Sequence, residues 1–263
     1  MGRYLSLLGH YFVQYAKVRL AYRGDFLISV ATTLAATLFG ITVVFLIFGR
    51  VKQLLGWTFY EILFLYGFSL LPMSLFSTIS LNLYYFNETY IVQGKFDRVL
   101  LRPLHSLFQI LFEQFRLESL SDTVLGLFLI SVCAAKLNLP LGFVEWLFLG
   151  LAAVCGCIIY VAIFLMLTAV AFWMEDRVGI IPPVFNMLTF GRYPLDIYNG
   201  FVRFLLSWIV PFGFASFYPA AALLKGETYH FYGLITPLVA AVFLTLAILV
   251  WNRGVRNYSS TGS

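Results

Sequence analysis

The run F-L-I-S-V-A-T-T-L-A-A-T-L-F-G-I-T-V-V-F-L-I-F, Phe26 to Phe48, is 23 residues long and carries no ionisable side chain. A helix rises about 1.5 Å per residue, so a run of this length matches the roughly 30 Å hydrocarbon core of a bilayer. Outward from it, five more apolar blocks follow, and spanning helices are predicted at 26–48, 59–81, 110–134, 143–173, 201–218 and 233–251. The expected fold is therefore an all-α membrane protein with six transmembrane helices.

Composition points the same way. The chain of 263 residues is 61% apolar and 11% charged, where a soluble domain carries about 25% charged residues. Its 28 Phe, 16 Tyr and 5 Trp suit a bilayer, because Tyr and Trp favour the headgroup layer. The net charge of +5 is spread between the apolar blocks rather than gathered into a patch, so nucleic acid is not an expected partner and membrane lipids are. Cys133, Cys155 and Cys157 lie in or beside apolar stretches and read as small helix residues, with neither a disulfide framework nor a metal site implied. His10, His105 and His230 are too scattered to suggest one metal centre. No cleavable signal peptide is read at the start.

The first 25 residues read instead as an amphipathic helix. Tyr4, Leu8, Tyr11, Tyr15 and Val18 share one face, and Arg3, Ser6, His10, Gln14 and Lys17 the other. Such a helix, with Arg19 and Arg23 at its end, is expected in the cytoplasmic interface; packing against the rest of the protein is the alternative.

Three later features interrupt the pattern. Glu113, Arg116, Glu118 and Asp122 open the third block. Each charge in hydrocarbon costs on the order of 3 kcal/mol, so this end is expected outside the apolar layer, with a wet protein interior as the alternative. Residues 174–200 hold Glu175, Asp176, Arg177, Pro182, Pro183, Arg192, Pro194 and Asp196, and the prolines exclude one continuous helix there. Pro211 and Pro219 bracket the end of the fifth block, which is expected to be broken. With six spans and the N-terminus inside, eleven cations (Arg3, Lys17, Arg19, Arg23, Lys95, Arg98, Arg102, Arg177, Arg192, Arg253, Arg256) fall in inner segments, against Arg50, Lys52, Lys136 and Lys225 outside. That bias predicts both termini in the cytoplasm.

Enzyme signatures are missing: no phosphate loop, zinc-protease or nucleophile-elbow motif is present, and no catalytic residue is assigned. The inner stretch N-L-Y-Y-F-N-E-T-Y-I-V-Q-G-K-F-D-R-V-L-L-R-P-L-H, Asn82 to His105, embeds Val99, Leu100 and Leu101 among Lys95, Asp97, Arg98 and Arg102 before Pro103. A short amphipathic helix of this kind suits the groove of a cytosolic partner; an ordinary polar loop has the same pattern.

The run I-V-Q-G-K-F-D-R-V-L-L-R-P, Ile91 to Pro103, resembles the first cytoplasmic loop of permeases from ATP-binding-cassette exporters of the ABC type-2 superfamily. The ending W-N-R-G-V-R-N-Y-S-S-T-G, Trp251 to Gly262, resembles that group's C-terminus, with Ser259 where an acidic residue is common. The resemblance implies a transport subunit in a prokaryotic plasma (inner) membrane, paired with a second copy or a related permease and driven by two cytosolic ATPase subunits, which hold the ATP and Mg²⁺. It divides the chain into an interfacial gate helix (1–25, with Tyr11, Tyr15, Lys17 and Arg19), a transmembrane domain (26–251) containing the coupling loop (82–106), and a cytoplasmic tail (252–263). Gly94, Asp97, Arg98, Val99, Leu100, Leu101, Arg102 and Pro103 would couple to the ATPase. Phe217 to Tyr232 would supply a re-entrant element before the last span. Arg203, Tyr218 and Pro219 are the candidates for the translocation path, although the favoured reading of Arg203 is a side chain that snorkels to the cytoplasmic phosphates. An ion-coupled transporter built on Glu113, Glu118 and Asp122 is the competing class, and an intramembrane enzyme the third.

Overall fold

The computed structural model describes residues 2–174 and 179–258. Glu175, Asp176 and Arg177, the Ser259–Gly262 part of the C-terminal motif and the side chain of Arg3 lie outside the described residues. The described residues are all-α, without a strand. In chain order the helices are α1 (Gly2–Ala21), α2 (Arg23–Phe48), α3 (Phe59–Ser80), α4 (Phe96–Leu101), α5 (Ser106–Phe112), α6 (Leu120–Leu137), α7 (Phe143–Ala169), α8 (Ala171–Met174), α9 (Ile181–Met187), α10 (Gly200–Phe204), α11 (Phe212–Ser216), α12 (Tyr218–Leu224) and α13 (Gly226–Asn257).

Among the described residues, five stretches are long and apolar enough to cross a membrane: Arg23–Phe48, Phe59–Val92, Leu117–Leu137, Phe143–Trp173 and Gly226–Asn257. They form a bundle around α3, whose side chains from Ile62 to Pro72 are all buried. The outer helices turn apolar residues away from it, among them Phe39 and Leu46 on α2, Phe128 on α6, Leu151 on α7 and Leu249 on α13. A surface this apolar has lipid as its solvent.

Local chemistry fixes the helix starts. The Glu61 carboxylate accepts from the Thr58 backbone N–H at 2.7 Å to begin α3, and Glu145 does the same for Gly142 at 2.8 Å to begin α7. Asn138, at φ +53°, closes α6 in the left-handed conformation that Asn tolerates. These three caps lie at one end of the bundle, called distal here. The proximal end holds α1, α4, α5 and the end of α13. Between the ends, α3 and α6 touch backbone to backbone: a Cβ on Gly126 would stand 2.6 Å from the Gly67 carbonyl oxygen.

Three expectations are corrected. The third block is not one helix from 110: α5 stops at Phe112, the chain runs through Glu113–Arg116, and the apolar helix starts after Leu117–Ser119. Glu113 and Arg116 are thereby kept out of a spanning helix, while Glu118 and Asp122 fall within the apolar stretch Leu117–Leu137, where Thr37 Oγ1 donates to Asp122 at 2.8 Å. The fifth block, 201–218, is not a spanning helix: it breaks, as its prolines led one to expect, into α10, a π-helical turn at Leu205–Ile209, α11 and α12. Pro211 removes a backbone donor, and the short pieces fold against one another. Finally, Gly226–Tyr232 is not part of a re-entrant element but the first two turns of α13.

The chain before α10 explains where the fifth block sits. Residues 181–197 run antiparallel along α3. Phe185 meets Tyr84, beyond the proximal end of α3, at 4.9 Å between ring centroids. Arg192 Nη1 then donates to the Tyr66 hydroxyl at 3.2 Å, and Asp196 reaches Trp57, ahead of the distal start of α3. Arg192, counted with the proximal cations in the sequence, therefore lies well along toward the distal end.

Candidate functional site

The proximal loop begins where α3 gives way to a 3₁₀ turn at Leu81–Leu83 and a π-helical segment, Asn87–Val92. Gly94, at φ +64°, makes the turn into α4 in a conformation that strains any side chain with a Cβ. Phe96 then enters the protein and is completely buried. Its ring lies 4.9 Å from Tyr258, 5.1 Å from Phe172 and 5.9 Å from Phe86, and Trp251 joins the same cluster. The loop is thus tied to α8 and to the end of α13. Burial and the neighbouring Asp97 push the Tyr258 hydroxyl up to about 12.

Of the three aliphatic residues read as docking anchors, Val99 turns inward and is buried, while its carbonyl accepts from Gln109 Nε2 at 3.0 Å. Leu100 and Leu101 face out, Leu101 with 85% of its surface exposed. Arg98, Arg102 and Pro103 are exposed beside them and Asp97 is half-buried. The helix has an inner face (Phe96, Val99) that fixes it and an outer face (Arg98, Leu101, Arg102) that it presents. Sequence reading missed Phe96, although its spacing of three from Val99 marks one helical face.

α1 lies against the same region. Tyr4 packs edge-on to Phe108 at 4.9 Å, and Phe12 and Tyr15 pack on Phe115 at 5.7 and 6.0 Å. The aromatic face of α1 is therefore partly covered by protein, as the alternative reading had it, while Phe12, Val13 and Leu20 stay exposed. Tyr11 and Tyr15 are half-buried and Lys17 is exposed. Burial, with Glu113 nearby, raises the Tyr15 hydroxyl above its ordinary range. Arg19 reaches the buried Glu118 at 3.2 Å, and Arg116 meets the same Oε1 at 3.3 Å. The carboxylate is sheltered in a protein interior, the alternative the sequence left open, because two guanidiniums from different segments compensate it. Glu113 accepts a short hydrogen bond from the Tyr90 hydroxyl.

A second polar cluster occupies the distal end. Asp196 pairs with Arg203 at 3.3 Å, accepts from Trp57 Nε1 at 3.2 Å and accepts from the Tyr229 hydroxyl. Lys225 Nζ stands 3.9 Å over the Trp57 ring and donates to the Gly56 carbonyl at 2.7 Å. Arg203 thus sits at the distal end, away from α1, whereas the sequence reading put it at the same end as α1, because residues 181–197 run along α3 before α10 begins. Tyr218 and Pro219 are buried. The Ser207 hydroxyl joins the Tyr218 hydroxyl at 2.7 Å and donates to the Arg203 carbonyl at 2.7 Å, so the structure brings these segments together.

An all-α bundle with an apolar outer surface and a short helix held out beyond its central helix is the setting for one comparison. The sequence profile of the ABC-2 family transporter proteins matches residues 31–262. The chain belongs to the ABC-2 transporter family. No curated protein and no solved structure matches it. As an ABC-2 permease it is of a kind that typically lacks an ATPase site of its own and works with ATP-binding-cassette subunits. The matched region takes in α3 to α13, the distal polar cluster, and Glu113, Arg116 and Glu118 of the proximal one, and leaves α1 with Arg19 and the first turns of α2 outside.

Proposed function

We propose that this ABC-2 chain is the membrane subunit of an ATP-driven exporter, with α4 as the helix through which a cytosolic ATPase acts. The observation that carries the reading is the division of α4. Phe96 and Val99 lock it to the bundle, while Leu101 and its flanking arginines are presented outward. A rigid helix with an exposed apolar tip and a charged rim suits a groove in a partner, and its rigid root transmits displacement to α8 and α13. α1, joined to Glu118 through Arg19, acts as the gate helix beside it.

In this reading the proximal end is cytoplasmic, and so are both termini, in a prokaryotic inner membrane. Residues 179–198 make the remaining passage beside the five long helices, and 200–224 form the re-entrant element at the far face. Arg203, Tyr218 and Pro219 belong to that element and border the path. Two permeases pack side by side, and ATP and Mg²⁺ are held by the ATPase subunits. The competing ion-coupled class needs free carboxylates, whereas Glu113 is engaged by Tyr90, Glu118 by Arg19 and Arg116, and Asp122 by the Thr37 hydroxyl at 2.8 Å.

Leu101→Asp tests the assignment. Such an exposed substitution changes stability by about 0.5 kcal/mol or less, so the subunit is expected to fold normally. The variant is expected to lose co-purification with the ATPase, or to keep it and lose transport. Unaltered assembly and transport would remove α4 from the coupling role.

A further inference from the structure

Two adjoining cavities lie between α1, α5 and the loop that carries α4, behind the coupling tip Leu101 but sharing Arg98 and Arg102 with its rim. One, of about 250 Å³, is lined by Lys95, Arg98, Arg102, Tyr90 and Glu113, among others. The other, of about 490 Å³, is lined by Tyr11, Tyr15, Val18 and Gln109. Arg102 and Glu113 border both, so the two form one groove.

The charge in the first cavity is not balanced from within. None of Lys95, Arg98 and Arg102 is in an ion pair among the described residues. The single lining carboxylate, Glu113, already accepts from Tyr90. Three cations around one cavity attract an anion. Gln109, buried with 3% exposure, spends its Nε2 on the Val99 and Leu104 carbonyls, while its Oε1 has no hydrogen-bond partner. A buried acceptor in this state is satisfied by a hydroxyl donor, since an ammonium group would be repelled by the three cations. Depth narrows the source of the anion. Three of the long apolar stretches end at this level: one starts at Arg23, one closes at Val92 and one opens at Leu117. The ends of spanning helices lie at the headgroup layer.

We propose that the groove binds the phosphate of an anionic, hydroxyl-bearing phospholipid headgroup. The phosphate sits among Lys95, Arg98 and Arg102, and the glycerol end of the lipid lies along Tyr11, Tyr15 and Val18. The bound lipid fastens α4 to α1 through Arg102. The inference rests on the chain crossing a bilayer and is independent of any ATPase, so it is tested on the isolated chain.

The full-length chain in neutral detergent is titrated with dihexanoyl phosphatidylglycerol, dihexanoyl phosphatidylcholine and inorganic phosphate, and binding is read by thermophoresis. Saturable binding of the phosphatidylglycerol is expected, well above the other two and weakened by added salt. With each basic residue counted at the strength seen near anionic lipid, Lys95→Gln with Arg102→Gln is expected to weaken it roughly 30-fold. Lys136→Gln, exposed at the distal end, is expected to leave it unchanged. Native mass spectrometry of the unsubstituted chain gives a second reading, with phosphatidylglycerol retained in preference to phosphatidylcholine. Equal binding of inorganic phosphate would make this a free-phosphate site and overturn the lipid assignment. Equal retention of both lipids, or affinity indifferent to the double substitution in a chain of native helicity, would overturn the site.

Discussion

Replacement of Gly126 by alanine probes the contact that holds the two central helices together. The new methyl would stand 2.6 Å from the Gly67 carbonyl oxygen, 3.1 Å from Leu71 Cδ2 and 3.2 Å from Leu70 Cβ, where ordinary contact begins near 3.4 Å. The nearest of these is backbone and cannot rotate away, so α3 and α6 must separate by roughly 0.8 Å. A gap of that size forfeits about a quarter to a half of each dispersion contact across it, and overpacking of this kind costs about 1–3 kcal/mol. Alanine also gains about 1 kcal/mol over glycine in helix propensity. Gly150→Ala on α7 isolates that gain, because a Cβ there meets nothing within 4 Å. The two variants are therefore expected to differ by about 1–3 kcal/mol, or roughly 5- to 150-fold in unfolding equilibrium constant. Equilibrium unfolding in mixed micelles with an increasing fraction of dodecyl sulfate measures the difference. If Gly126→Ala proved as stable as Gly150→Ala, the backbone-to-backbone contact would be refuted.

Three further outcomes are expected. Arg19→Ala with Arg116→Ala leaves Glu118 buried without a counter-charge and costs about 3–5 kcal/mol. Glu118→Gln leaves only partly exposed guanidiniums and costs about 1–3 kcal/mol; a double-mutant cycle in the same micelles reads both, and equal costs would contradict the burial argument. Phe96→Ala opens the aromatic cluster at the root of α4 and costs about 3–5 kcal/mol if the cluster is packed as described. Leu101→Ala stays within about 0.5 kcal/mol, and hydrogen exchange over residues 86–101 separates the two variants. Asp196→Ala removes the acceptor shared by Trp57, Tyr229 and Arg203, losing at least the roughly 1.5–3 kcal/mol of one charge-assisted bond. Faster exchange is expected at 54–57 and 226–229 and unchanged exchange in α5; a uniform change across the chain would argue against a local clasp.

The long helices were legible because a helix that crosses hydrocarbon must stay apolar for about 20 residues, whether its neighbours are lipid, as at α2, or protein, as at α3. Phe26–Phe48, Phe59–Ser80 and Phe143–Ala169 carry apolar residues around their whole circumference, and that signal does not depend on neighbours. The fifth block has the same composition for a different reason. Phe212–Ser216 and Tyr218–Leu224 are apolar because protein surrounds them, and Gly191 accepts the close approach of Ser216, a fact of tertiary packing. Hydropathy does not distinguish a residue facing lipid from one facing a neighbouring helix. The start of the third block was misplaced by the same blindness. Ile110 and Phe112 are apolar and belong to α5, and the charges after them mark a break in the helix, not its immersed end. At α4, charge and apolar residues were visible in Asp97 to Arg102, but the division into a buried and a presented face required Phe96, whose partners Phe172, Trp251 and Tyr258 are all distant from it in sequence.

The Asp196 cluster also constrains the order in which the molecule comes into being. Trp57 and Asp196 are separated by 139 residues and Asp196 and Tyr229 by 33, so a growing chain inserts four of its five long helices before Asp196 emerges. Until Tyr229 follows, the carboxylate has only part of its set of partners. Contacts of such long sequence separation close late. The clasp is thus a completion event in biogenesis: a nascent chain halted before α13 has its other helices in place and its distal end unlatched.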